Sequence, residues 1–159
     1  ASKITQDIAN LIDRRLYRQR RVIWAIRQGE PADVDQALAE YRGAIFEWMD
    51  NLGRIKAELW QSFDRCTAIQ FEEQIHDRFA AVGRNIEARI RGTRRGALAQ
   101  EERDLNTLGR SSYEFVHGLL TRISREDLVG LVGRDTVSYS NWDNLSTGFL
   151  LKRLFGVST

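Results

Sequence analysis

The 159 residues suffice for one domain with a real core, and 42% hydrophobic against 29% charged residues excludes wholesale disorder. A net charge of +2 excludes a globally polyanion-seeking protein, no apolar run approaches the 18 residues of a membrane span, and the single cysteine, Cys66, excludes an intramolecular disulfide. The single proline, Pro31, argues for long helices over a turn-rich β fold.

A first helix is predicted over residues 3–28, with Ser2 as its cap and Gly29 as its stop. Its apolar seam is Ile4, Ile8, Leu11, Ile12, Leu16, Ile23 and Ile26. Within it, residues 13–21 read DRRLYRQRR, five arginines in nine positions. At about 100° per residue, Arg14, Arg18 and Arg21 form one stripe opposite the seam, with Tyr17 and Trp24 beside it. Arg15 alone falls inside the apolar arc. It must snorkel or meet a carboxylate, and an acid of the second helix is the expected partner.

A second helix follows Pro31, with Asp33 and Asp35 suited to its positive end. Val34, Leu38, Tyr41, Ile45, Trp48, Leu52, Ile55 and Leu59 recur at alternating steps of four and three, a heptad seam for shallow helix packing. Residues 1–29 carry a net +5 and residues 30–64 a net −5. Pairing between the two helices is therefore the first reading of the arginine stripe, with Glu40, Glu47, Asp50, Glu58 and Asp64 as acids. The functional reading is a basic-aromatic binding surface made of Arg14, Tyr17, Arg18, Arg21 and Trp24. Its partner would be a protein or an anionic membrane surface. Nucleic acid ranks last, because no known reading motif accompanies the charge.

The third helix is predicted over about 67–91, with Ala68, Phe71, Ile75, Phe79, Val82, Ile86 and Ile90 as its seam, and a loop from Gly92 to Gly96. The fourth covers about 97–123, through Leu98, Leu105, Leu108, Phe115, Leu119 and Ile123. Gly83, Gly109 and Gly118 lie inside these helices and read as relief for large neighbours. Ser124 is read as the cap of a short helix to about Val132, and residues 146–156 as a last one. Arg84, Arg89, Arg91, Arg94 and Arg95 form a basic end, diluted by Glu30, Asp33, Glu101 and Glu102. Short connections make neighbours antiparallel. The predicted fold is all-α: an antiparallel up-down-up-down four-helix bundle over 1–124, with short C-terminal helices of 125–159 packed on it as part of one domain.

One motif carries metal chemistry. Glu73-Gln-Ile-His76 and Glu114-Phe-Val-His117 are both Glu-x-x-His, and an antiparallel hairpin would bring them level. Paired Glu-x-x-His motifs with two further glutamates hold two irons in ferritin-like bundles, and this alternative would make the chain a di-metal carboxylate protein. The helical wheel points Glu73, His76, Glu114 and His117 away from the seams, whereas such ligands must project inward. Surface histidines and no cofactor are therefore expected.

The leading expectation is a non-enzymatic interaction module, with a homo-oligomer among its partners. One form of it is the soluble part of a bacterial membrane-associated protein. The chain begins at Ala1, already inside a helical pattern, which reads as a cut or processed product. A cytoplasmic location is expected, with any membrane association made through a segment outside this chain.

Overall fold

The structure is a computed structural model that describes residues 1–132, with 129–132 described by backbone alone. The described residues are all-helical. They form α1 (Ser2–Gln28), α2 (Pro31–Ser62), α3 (Arg65–Gln70), a π-helical segment (Phe71–His76), α4 (Asp77–Ile90) and α5 (Ala99–Val132). No helix among them is long and apolar enough to cross a membrane. Contacts divide the chain into a unit of Ala1–Gly118 and a second unit from Leu119 onward.

Helix ends follow local chemistry. Gly29 closes α1 in the left-handed region at φ 77°, where its N–H donates to the Ala25 carbonyl. Pro31 opens α2, where its missing N–H costs nothing. The Asp64 carboxylate caps α3 by accepting from the Thr67 N–H at 2.6 Å. Two expectations are corrected. Ser2 is the first helical residue and Ala1 occupies the cap position, without a side-chain bond. Ser124 starts no new helix: α5 runs through it, and its hydroxyl donates to the Leu120 carbonyl at 3.1 Å, satisfying itself within the helix. The expected helix over 146–156 and most of the expected 125–159 appendage lie outside the described residues.

The core forms where the seams lie. Ile4, Ile8, Leu11, Ile12, Leu16 and Ile23 of α1 are buried, as are Leu38, Tyr41, Trp48, Ile55 and Leu59 of α2. Ala68, Phe71, Ile75, Phe79, Val82 and Ile86 supply the next face, and Leu105, Leu108 and Phe115 lie buried on α5. Val34, Ile45 and Leu52 of the α2 seam are only half-buried. In the unit from Leu119, Leu119 and Ile123 are buried.

Trp48 anchors the centre of the first unit. Its ring stacks on Phe71 at 5.7 Å and meets Phe79 at a tilt at 5.2 Å, while Phe71 in turn meets Phe115 at 5.8 Å. Full burial of such side chains stabilises by roughly 1.5–3 kcal/mol each. Tyr41 reaches across to α4, where a Cβ on Gly83 would overlap its hydroxyl, so glycine is required there. Gly109 is less tight, with the end of the Arg20 side chain, Nη2, at 3.2 Å from an added Cβ, and Gly118 has no neighbour within 4 Å among the described residues. The relief thus holds at two of the three glycines for which it is expected, Gly83 and Gly109.

Candidate functional site

The arginine face of α1 divides between two neighbours. On one side, Arg14 pairs with Glu47, Arg18 with Glu40 at 2.6 Å, and Arg21 with Glu40 at 3.7 Å. Asp7 continues this line by pairing with Arg54 at 3.3 Å. On the other side, Arg27 pairs with Glu102 of α5. The stripe is therefore an ion-pair flank of the α1–α2 contact. These pairs are largely exposed, so each contributes no more than about 1 kcal/mol.

Tyr17 and Trp24 stand between the two flanks and remain 56% and 57% exposed. Tyr17 shares a shallow cleft of about 390 Å³ with Arg14, Arg18, Glu40 and Glu47, and the Arg18 guanidinium lies 5.4 Å from its ring centre. Trp24 borders a separate cleft of about 350 Å³ with Arg20, Arg27, Glu102 and Leu105. Of the five residues predicted as one surface, Arg14, Tyr17 and Arg18 thus line one cleft and Trp24 the other, and Arg21 lines neither.

Beneath that face lies a polar cluster that periodicity did not reveal. Arg15 is 3% exposed, and no acid of α2 meets it, contrary to expectation. Its guanidinium instead sits 4.8 Å from the Trp48 ring centre and 4.9 Å from that of Phe79. Cation–π attraction offsets part of its desolvation. Its Nε and Nη1 find no acceptor among the described residues, and neither the Gln19 carbonyl oxygen nor the Ser112 hydroxyl finds a partner there. Burial lowers the Arg15 pKa from its ordinary value, with the nearby Tyr41 hydroxyl working the other way. Gln19 is the better satisfied neighbour, donating through Nε2 to the Tyr41 hydroxyl at 3.2 Å and the Phe79 carbonyl at 3.3 Å. A wheel places Arg15 in the apolar arc, but it cannot show that the facing residues are aromatic rings instead of carboxylates.

The metal motif does not assemble. Glu73, Glu114 and His117 are exposed, and among the described residues no group of three or more His, Cys, Asp or Glu could hold a metal. His76 departs from its expected surface position. It is half-buried, its ring lies nearly parallel to that of Trp48, and its Nδ1 accepts from the Trp48 indole N–H at 2.9 Å, edge to edge. The wheel missed this because the indole reaches well beyond the α2 seam. The π-helical geometry of Phe71–His76 also breaks the assumed 100° step.

That bond fixes His76 as neutral, with its proton on Nε2. Burial, and then the positive charge of Arg15, lower its pKa from the ordinary value; Lys56 acts the same way, while Asp77 and Glu72 oppose them. The unfolded chain then takes up this proton at higher pH than the folded one, so stability present above about pH 6.5 falls as pH drops below it. Melting temperature should decline from pH 7 to 5, and His76→Gln should flatten that decline. Equal slopes in both proteins would remove His76 as the cause.

The basic end of α4 is also partly neutralised internally, at Arg89, Arg91 and Arg94. Glu101 is fully buried, accepts from Arg89 Nη2 at 2.9 Å and pairs with Arg94 Nε at 2.9 Å. Arg89 further donates to the carbonyls of Gly96 and Ala97, tying down the loop between α4 and α5. Arg91 pairs with Glu87 at 3.9 Å. Comparison of the chain with models of protein families, with curated proteins and with solved structures finds no match.

Proposed function

We propose that this chain is a non-enzymatic helical interaction module that docks a protein partner on the outer face of α1. The observation that carries the reading is the exposure of Tyr17 and Trp24, seven residues apart on one helix, between flanks of ion-paired arginines. Binding hot spots are enriched in Trp, Tyr and Arg, with aromatic anchors inside a polar rim. Hydrogen-bonded pairing to Glu47 and Glu40 already satisfies Arg14 and Arg18, and Arg21 lies 3.7 Å from Glu40, which favours a protein over an anionic membrane surface.

The scaffold under this reading is an antiparallel up-down-up-down bundle. Its support is the order of the paired residues. Asp7, Arg14 and Arg18 of α1 meet Arg54, Glu47 and Glu40 of α2, one series rising as the other falls. Arg42 and Lys56 meet Glu87 and Glu72 in the same reversed order, as do Arg78 and Arg89 with Ser111 and Glu101.

Photo-crosslinkers at positions 17 and 24, used in the cells that make the protein, should capture a partner protein. The purified pair should bind about tenfold or more weakly with Tyr17→Ala and Trp24→Ala combined, at unchanged melting temperature. Unchanged affinity would overturn the reading. Arg14, Arg18 and Arg21 all changed to Glu should lower stability by roughly 1–3 kcal/mol, since each would then face an acid. Salt-sensitive binding to vesicles of anionic phospholipid, lost in that triple variant, would assign the face to a membrane surface instead.

A further inference from the structure

The outward side of α2 carries a second apolar line. Phe46, Met49, Gly53, Ala57 and Trp60 follow one another at steps of three, four, four and three residues. At about 100° per residue all five lie within roughly 40° of Gly53, and the buried line of Tyr41, Trp48, Ile55 and Leu59 lies more than about 100° away. Phe46, Met49 and Trp60 are 70%, 51% and 58% exposed, among the most exposed large apolar side chains described. A Cβ on Gly53 would meet nothing within 4 Å among the described residues.

The steps read the same in both directions from Gly53. An isologous interface between antiparallel helices has this requirement: each residue on one side must find its counterpart at the mirrored position on the other. We propose that this face binds the same face of a second copy of the chain, antiparallel, about a two-fold axis at Gly53.

In that arrangement Phe46 comes level with the partner's Trp60, and Met49 with the partner's Ala57, so aromatic pairs close the two ends of the seam and smaller side chains lie towards its centre. Gly53 meets its own copy, where two missing side chains let the backbones approach. Asp50 and the partner's Lys56 come level on opposite sides of the seam, within reach of a lysine side chain. Asp50 is exposed and makes no ion pair among the described residues, and the Lys56 side chain stays 36% exposed while pairing with Glu72. The pairing is charge-complementary in both symmetry-related copies.

Three large side chains per copy fall short of the roughly 800 Å² per partner of a standard interface. The proposal is therefore a weak, concentration-dependent dimer, with a dissociation constant on the order of 10–100 µM. It leaves Tyr17 and Trp24 of α1 outside the seam.

Sedimentation equilibrium of the full chain, from about tenfold below to tenfold above that range, should show a monomer–dimer transition. Phe46→Glu should weaken it about tenfold or more at unchanged melting temperature, because the side chain is exposed. The second measurement is crosslinking in a Cys66→Ser background. Gly53→Cys should form an intermolecular disulfide rapidly under mild oxidant. Gly43→Cys should not, because ten residues place it roughly 30 Å along the axis from its symmetry mate. A monomer throughout the range, or equal crosslinking at 43 and 53, overturns the proposal. A monomer whose Phe46→Glu variant melts lower also overturns it, because the face then serves the fold of a single chain.

Discussion

Glu101→Ala should lower the unfolding free energy by about 3–5 kcal/mol, the loss expected when a buried ion pair is broken at one end. The carboxylate is fully buried and receives both Arg89 and Arg94, so its removal strands Arg89, whose side chain is only 10% exposed. Replacing both partners, Glu101→Leu with Arg89→Met, should cost less than the single change, because no buried charge is left alone. Urea denaturation of the three proteins measures this, and a single variant within about 0.5 kcal/mol of the parent would show the clasp to be solvated. The pair also sets an acid limit. Desolvation pushes the Glu101 carboxyl up, but hydrogen bonds from Arg89 and the charges of Arg89 and Arg94 outweigh it, and the net shift is downward. Its stabilising contribution is therefore complete above the ordinary carboxylate range and is lost as pH falls below it, whereas the His76 decline begins at higher pH.

Arg15→Met should have the opposite sign, leaving stability unchanged or raising it by about 1–4 kcal/mol, as when buried charges give way to apolar residues of similar volume. The guanidinium lies between two rings with Nε and Nη1 unpaired among the described residues, so a thioether chain keeps the ring contacts and removes the desolvated charge. Arg15→Ala should instead destabilise, because it leaves a cavity beneath Trp48 and Phe79. The Met change should also move the His76 titration back toward its ordinary pKa, since Arg15 is the leading charge acting against protonation there. Calorimetric melting with NMR titration of His76 tests both parts. A Met variant more than about 2 kcal/mol less stable than the parent would mean that the cation–π contacts outweigh the desolvation.

The all-helical fold and most of its core were legible because the burial of a helix repeats with the helix itself. Ile4 to Leu16, Phe71 to Ile86 and Leu105 to Phe115 are buried where their spacing puts them. The pairing of Arg14, Arg18 and Arg21 with α2 acids was legible too, because helices of opposite charge separated by a short turn must lie side by side. Three features lay beyond periodicity. The Arg15 site depends on which face of α2 and α4 supplies aromatic rings. The Trp48–His76 bond depends on the reach of an indole. The Glu101 clasp depends on a loop folding back so that Arg89, twelve residues earlier, meets a carboxylate at the start of α5. Each is a matter of tertiary placement that one-dimensional spacing does not encode.

The π-helical segment at Phe71–His76 has an evolutionary consequence. A single wide turn within an otherwise α-helical run is the footprint of one additional residue accommodated without breaking the helix. A descendant or cousin that had lost that residue would carry an uninterrupted helix from Arg65 to Ile90, and every position after the deletion would be rotated relative to those before it. Phe71 and Phe79 could not then both keep their places against Trp48, and the histidine would leave the indole. Alignments of this lineage should therefore open a gap of one between Phe71 and His76, and the tryptophan–histidine pair should be gained and lost together with that insertion.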